Sequence, residues 1–477
     1  MPAQSSSQSS STASAQTAPD RPFSWHFLTP LYLASVLNPV NSSLIATALV
    51  PIAHGVGVSI GQTATLVTAL YLASAVAQPT AGKAAEVFGS RRVMVAGIVA
   101  VAAGGLVGGL GQDLLTLLIS RVLIGLGTSC AYPSAMLLIR GRALDAGMEQ
   151  PPGSVLGGIQ ITGVATASLG LPIGGLLVSG LGWRAVFFIN LPIALIALAA
   201  VLAWVEADGP LERRDLREIA SRLDVAGIVG FAAAMLALLV FLFQLPRAHW
   251  WILALSLALW TANIAWELRA ASPFLDVRLL ATRPALTNTY VLFGLVMLCQ
   301  YVVLYGVTQW IEAARGFSES SSGLLLLPMT IVSGIVIALV SRRNMVRGPA
   351  IAAAATSLVG SAGILLLNSN AWIGLVAILT LLFGAATGFA SAGYQTALYT
   401  HAPPEQLGTA SGLLRTFGYV GSIASSAITG IVFHHQVSDH GLHLIAWIMI
   451  GISIGLTILT VAARNLRTRQ PSPTFET

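Results

Sequence analysis

Asn38, Asn41 and Ser42 lie inside the first long apolar run, in LNPVNSSLIATALVPIA (residues 37–53). With Ile45 they follow the i, i+3, i+4, i+7 spacing of a single helix face. Their amides and hydroxyl do hydrogen-bond recognition rather than proton exchange. Such groups need partners in an apolar setting, and either a central cavity or a neighbouring helix supplies them. Pro39 removes a backbone donor and frees the carbonyl of Ser35, which predicts a kink there. Arg121 stands about seven residues into a later apolar run, where a cation facing lipid costs roughly 3 kcal/mol or more, so it should face the interior. Gln160, Gln300, Tyr301 and Tyr305 sit at cavity depth in other runs, with Tyr71, Gln78 and Tyr419 beside them and Arg415 lower.

The 18 acidic residues all fall in tails, loops or helix ends, and none is near the middle of an apolar run. Asp113 and Glu312 come closest at one end of their runs, Asp224 and Glu267 at the other, while the histidines are peripheral. A pocket lined by Tyr, Gln and Asn with Arg121 and no carboxylate suits neutral, amphipathic or weakly anionic solutes. It has nothing to pair with a dication. No nucleophile–base pair, metal-ligand spacing or phosphate loop stands out, so no enzyme activity, cofactor or metal is expected.

The elements that position these groups follow from composition. The chain has 477 residues, of which 55% are hydrophobic and 9% charged, and its mean hydropathy is +0.80. Soluble domains carry about 25% charged residues, so lipid is the natural solvent. The net charge of +6 comes from short basic clusters between apolar runs, a topology signal rather than a nucleic-acid face. Cys130 and Cys299 both lie in apolar runs, so no disulfide is inferred.

A bilayer core needs about 20 helical residues. At that length spans fall near 28–52, 63–82, 93–111, 114–138, 154–179, 185–205, 223–244, 249–268, 286–311, 323–341, 348–367, 371–397, 407–433 and 442–463. Fourteen spans put Lys83/Arg91/Arg92, Arg140/Arg142, Arg213/Arg214/Arg217/Arg222, Arg269/Arg278/Arg283, Arg342/Arg343/Arg347 and Arg464/Arg467/Arg469 on one side, with only Arg184, Arg247 and Arg315 opposite. That asymmetry predicts both termini in the cytoplasm, and the membrane expected is the cell (inner) membrane. The expected organisation is a disordered tail (1–27), a six-helix bundle (28–205), a linker (206–222), an inserted helix pair (223–268), a second linker (269–285), a second six-helix bundle (286–463) and a tail (464–477).

Three local patterns add to this. Gly82, Glu86 and Gly89 followed by Arg91 and Arg92 make a tight basic loop after the second span. Gly125 and Gly127 follow Arg121 in the fourth. Gly163, Ala167, Gly170 and Gly174 stack on one face of the fifth, which admits another helix closely.

On these residues the chain resembles the major facilitator superfamily, and within it the fourteen-helix drug/proton antiporters. The loop 82–92 looks like that superfamily's cytoplasmic gating loop, and Arg121, Gly125 and Gly127 match its fourth-helix arginine motif. Gly170, Gly174 and Gly175 are similar to its exporter-type fifth-helix motif. Trp183-Arg184-Ala-Val-Phe187-Phe-Ile-Asn190-Leu-Pro192 fits the subfamily's W-R-x-x-F-x-x-N-x-P. Later segments that fit are SPFLDVRLL (272–280), GFSESSSGLLLLP (316–328) and GTASGLLRTFG (408–418). Glu86 replaces the usual aspartate, Ser90 a usual arginine, and Pro172 follows Leu171 rather than the first glycine, which shifts the kink. Asn41-Ser42-Ser43 occupies ground where relatives often hold an aspartate.

The resemblance implies an all-α membrane protein of the major facilitator fold. It would export small amphipathic organic compounds by alternating access between two bundles, as a monomer. Protons are a candidate partner, with Asp113 and Glu312 as the candidate sites. The competing expectation is an uncoupled facilitator or importer on the same fold, because the titratable acid is missing from the first span.

Overall fold

The computed structural model describes residues 22–210, 216–244, 249–317, 319–434 and 436–463. Most of both expected tails, and Arg213, Arg214, Arg247, Arg464, Arg467 and Arg469, lie outside the described residues. The long helical segments in chain order are α1 (Trp25–Val56), α2 (Ile60–Phe88), α3 (Ser90–Leu110), α4 (Leu114–Asp145), α5 (Gly153–Leu181), α6 (Ala185–Trp204), α7 (Val225–Phe243), α8 (Trp250–Glu267), α9 (Pro284–Arg315), α10 (Glu319–Ser341), α11 (Arg347–Ile364), α12 (Ile373–His401), α13 (Leu407–Val432) and α14 (Asp439–Ala462).

Local chemistry sets the ends. Ser59 and Gln62 form a reciprocal capping box that starts α2. Asp113 caps α4 through Thr116 N–H at 2.9 Å, and Ser438 caps α14. α2 and α3 meet at Gly89, whose φ of +99° disfavours a side chain. α1 runs on through Pro39 and becomes irregular later, in a 3-10 stretch at Ile45–Ala48. The kink expected at Pro39 is thus displaced. Ser42 and Ser43 bond back to the Pro39 carbonyl at 2.9 Å each, and Thr47 to Leu44 O, and such back-bonding bends helices. α5 bends by 40° between Gly153–Gly170 and Pro172–Leu181, close to the expected Pro172.

Among the described residues nine helices are long and apolar enough to cross a membrane, or ten with the bent α5 taken as one span. Fourteen were expected. α2, α8, α11 and α13 fall short because Gly, Ser, Thr and Trp lower their hydropathy, together with Lys83 and Glu86 in α2, Asn263 and Glu267 in α8, Arg347 in α11 and Arg415 in α13. Large apolar side chains such as Leu169, Leu176, Leu195, Ile331 and Ile335 are exposed along helix flanks, the pattern of a lipid-bathed surface.

Packing divides the helices. α1 lies on α5 and α6, and α2 and α3 on α4. α9 lies on α12 and α13, α10 on α12, and α11 on α12 and α14. These two groups meet mainly where α2 packs on α13 and α5 on α10. α7 and α8 pack on each other, and α7 touches both α2 and α13.

Candidate functional site

The polar layer is assembled from side chains that no one helix could satisfy. Asn38 on α1 donates to Thr128 Oγ1 (2.9 Å) and Ser74 Oγ (3.4 Å), and accepts from Tyr419 OH on α13 (3.0 Å). It therefore bridges the two helix groups. The Tyr71 and Tyr419 rings lie 5.8 Å apart, those of Tyr301 and Tyr305 5.7 Å, and the Tyr305 hydroxyl is 3.4 Å from Ser422 Oγ. Gln300 Oε1 and Gln78 Oε1 receive no hydrogen bond.

Below this layer sits a floor. Arg415 Nη2 donates to Gln160 Oε1 (2.6 Å), Gln160 Nε2 to Gln395 Oε1 (3.0 Å), and Tyr132 OH also bonds Gln395 Oε1. The Arg415 guanidinium stacks 4.1 Å over the Tyr132 ring, a cation–π contact. Among the described residues no carboxylate lies within ion-pair distance of Arg415. The floor joins α4 and α5 to α12 and α13 and holds the Arg415 cation between Gln160 and the Tyr132 ring.

Beyond the floor, toward the loop 82–92, the two groups are sealed backbone to backbone. A methyl group on Gly82 would stand 2.2 Å from Gly408 O, and one on Gly412 would stand 2.4 Å from Gln78 O. Level with Arg415, Thr416 Oγ1 donates to Ala75 O (2.7 Å), and nearer the loop Tyr399 OH donates to Met136 O (2.9 Å). Glu86 accepts from Thr409 N–H (2.7 Å) and Thr409 Oγ1 (3.2 Å) at the start of α13, where helix N–H groups favour an anion. On the α5–α10 side, Gly153 and Gly157 abut Ser341. Hydrogen bonds between the two groups run from the Asn38 layer to this basic-loop end.

The loop itself is held from a direction the sequence did not suggest. Asp208, just past α6, accepts from Arg91 N–H (3.2 Å) and Arg92 N–H (2.8 Å), and a methyl on Gly89 would strike its carboxylate. Arg92 Nη2 reaches Gly209 O at 2.6 Å, and Arg91 Nη2 reaches Leu202 O at 2.8 Å.

Several expected site residues occupy other places. Asn41 does not join Asn38 in the polar layer. It is 2% exposed and donates to Asn190 Oδ1 (2.6 Å) and Leu37 O (2.8 Å), tying α1 to α6. Ser42 bonds within its own helix. Arg121, 1% exposed, is enclosed among α1, α2 and α4, with Nε donating to Leu66 O and Nη2 to Asn41 O, both at 3.1 Å. The 3-10 stretch explains this, since Ile45 N–H turns to Ser43 O and leaves the Asn41 carbonyl for the guanidinium. On α5, methyls at Gly170 and Gly174 would hit Ser43 (1.7 Å) and Thr47 (2.5 Å), and Gly163 faces Pro39, whereas Gly175 has nothing within 4 Å. Gly175 is thus off the packing face, one residue around from Gly174, and Pro172 is exposed. Asp113 is an exposed helix cap, its carboxyl held below the usual range by bonds from Thr116 N–H and Oγ1. Glu312 is half-buried at the same end of the molecule.

Asn190, Gln395, Tyr132, Thr128 and Asp208 were not singled out as site residues. Gln395 could have been, as an amide isolated in the small-residue run of the twelfth span. Asn190 was in view only as a motif position.

A profile described as the Major Facilitator Superfamily matches residues 31–426. The chain is 33% identical over 438 residues to the uncharacterized MFS-type transporter YwoD of Bacillus subtilis, covering 91% of this chain and 95% of that one. It is 30% identical to the tetracenomycin C resistance and export protein of Streptomyces glaucescens (87% and 77% covered) and 27% identical to the methylenomycin A resistance protein of Streptomyces coelicolor (92% and 93%). Among solved structures the human organic anion transporter MFSD10 (TETRAN) aligns with a TM-score of 0.64 at 15% identity, covering 91% of this chain and 99% of that chain, a likeness of fold. Many apolar helices, two groups clasped across a shared polar layer and a match over most of the length lead to one assignment: the chain is a multi-pass membrane protein belonging to the major facilitator superfamily of transporters.

Proposed function

We propose that this protein is a secondary active exporter of small, neutral or weakly anionic amphipathic organic compounds. The observation that carries the reading is Arg415, a cation without a carboxylate, at the floor of a Tyr/Gln/Asn layer shared by both helix groups. A fixed positive charge among aromatic faces and open amide acceptors suits a solute with an apolar body and one polar or anionic group. Relatives described as antibiotic-resistance and export proteins support efflux.

In this reading all fourteen helices span the membrane. Residues 28–205 and 286–463 are the rocking bundles, 223–268 is the inserted pair, and the basic-loop end is cytoplasmic with both termini. The seal at that end then corresponds to the outward-facing state, and breaking the Glu86–Thr409 and Gly82–Gly408 contacts opens the site inward. Of the two external acids, Glu312 is the better proton candidate, because Asp113 is committed to capping α4. A second reading, an uncoupled facilitator or importer, is favoured by the absence, among the described residues, of a carboxylate in the polar layer.

Flux of a weakly acidic organic probe in proteoliposomes, with and without an imposed pH gradient, separates the two. Gradient-driven accumulation on the side of the higher proton concentration supports the coupled exporter. Equilibration that ignores the gradient supports the facilitator.

A further inference from the structure

At the basic-loop end of α7 and α8 two carboxyl groups meet with no cation between them. Asp224 precedes α7 in a left-handed conformation (φ 51°). Its Oδ1 accepts from Gly227 N–H (3.1 Å) and Trp266 Nε1–H (2.8 Å), and its Oδ2 from Phe274 N–H (3.1 Å). Glu267 closes α8, is 2% exposed, and neither of its oxygens receives a hydrogen bond. A methyl group on Gly227 would stand 2.3 Å from Asp224 Oδ2 and 2.6 Å from Glu267 Oε1, so the two oxygens are no farther apart than the sum of those distances.

Two ionised carboxylates do not share so small a buried space, because like charges at this range exclude one another and an unpaired buried anion is costly. The donor inventory assigns the proton. Three N–H groups converge on Asp224, the arrangement an anion requires, whereas the Leu275 N–H beside Glu267 falls outside hydrogen-bond geometry, and Glu267 as a neutral acid has an O–H to give.

We propose that Asp224 and Glu267 form a one-proton site, with Glu267 donating its hydrogen bond to Asp224 Oδ2, and that this site reports proton activity to the gating loop. The path is short. Phe274, bonded to Asp224, follows Pro273, whose carbonyl accepts from Lys83 Nζ (3.2 Å) on α2. α7 also packs on α2 and α13, whose glycines form the seal. Losing the proton to water places a second anion beside Asp224 and attracts Lys83 away from Pro273. The other charged groups on the surrounding elements are Glu86 on α2, held by Thr409, and Arg415 on α13, held by Gln160. The linker brings Arg269, Asp276, which caps its own short helix, and Arg278, which bonds Leu268 O; Arg222 lies on the short helix Leu216–Leu223. None of them supplies a hydrogen bond to Glu267.

The test is pH-difference infrared spectroscopy of the full-length protein in lipid nanodiscs, in a Glu86→Gln background that silences the half-buried acid of the seal. The carbonyl stretch of a protonated carboxylic acid is expected at acid pH, lost on alkalinisation, absent throughout in Glu267→Gln and displaced in frequency in Asp224→Asn. A band that persists in Glu267→Gln, or no such band, overturns the site, and this arm does not depend on what is transported. In proteoliposomes Glu267→Gln, isosteric with the neutral acid, is expected to keep its acid-pH flux when the basic-loop side is made alkaline, where the parent loses flux. A variant that titrates like the parent overturns the link to the gate.

Discussion

Asn41 and Arg121 show how a polar residue in a membrane helix can serve the scaffold. Asn190 and Asn41 satisfy each other across α1 and α6, and Arg121 is spent on two carbonyls. Asn41→Ala leaves Asn190 Oδ1 buried without its donor, so a loss of about 1–3 kcal/mol is expected. It should lower the thermal unfolding midpoint in detergent while leaving the KM of any transported probe unchanged. Asp113 behaves as a surface cap. Its depressed carboxyl contributes stability above the ordinary carboxylate range and loses it only as pH falls through the lower folded value, so it stays ionised at neutral pH. Asp113→Asn is therefore expected to leave the neutral-range pH profile of flux unaltered, read by proteoliposome assays on either side of neutrality. At this scale Asn38 and Gln160 were legible from depth in their runs. The Asn41–Asn190 pair was not, because periodicity gives the face of a helix but not the neighbour that meets it.

Helices carry the next set of consequences. α5 was read as a packing helix from its glycine spacing, and Gly163, Gly170 and Gly174 do meet α1. Gly175 fell outside because adjacent helical residues point about 100° apart. Gly170→Val is expected to abolish folding or flux, since its Cβ would stand 1.7 Å from Ser43 Oγ. Gly175→Ala should change stability by no more than about 0.5 kcal/mol. Expression and thermal unfolding of the pair check both outcomes. The apolar runs located the helices well. Hydropathy separates the helices less cleanly, because α2 and α13 spend their inner faces on glycine and polar contacts and fall below the apolarity of the nine that qualify among the described residues. The irregular stretch in α1 was legible only as a disturbance near Pro39, since the 3-10 turn begins at Ile45, about 1.7 turns onward.

At the scale of the whole molecule, two helix groups are locked at one end and joined in the middle by Asn38, Gln160, Gln395 and Arg415. The lock relies on glycine, so bulk should pry it open. Gly82→Val places a side chain against Gly408 O and is expected to lengthen the α2–α13 distance at the basic-loop end, measured by electron spin resonance between labels on those helices. An unchanged distance would show that the seal tolerates bulk. The superfamily and the tight turn of the basic loop were legible in advance from residues 82–92, 121–127 and 183–192. The floor was not, because Tyr132, Gln160, Gln395 and Arg415 come from four helices and meet only in three dimensions.

The central claim is that Arg415 reads an anionic group on the transported compound. The direct measurement is the initial flux of a weakly acidic organic probe and its neutral amide analogue in proteoliposomes, for the parent and Arg415→Gln. A charge-assisted hydrogen bond of about 1.5–3 kcal/mol predicts that the variant raises KM for the acid by roughly tenfold or more and leaves the amide near its original value. Equal effects on both probes, or none on either, would contradict the account.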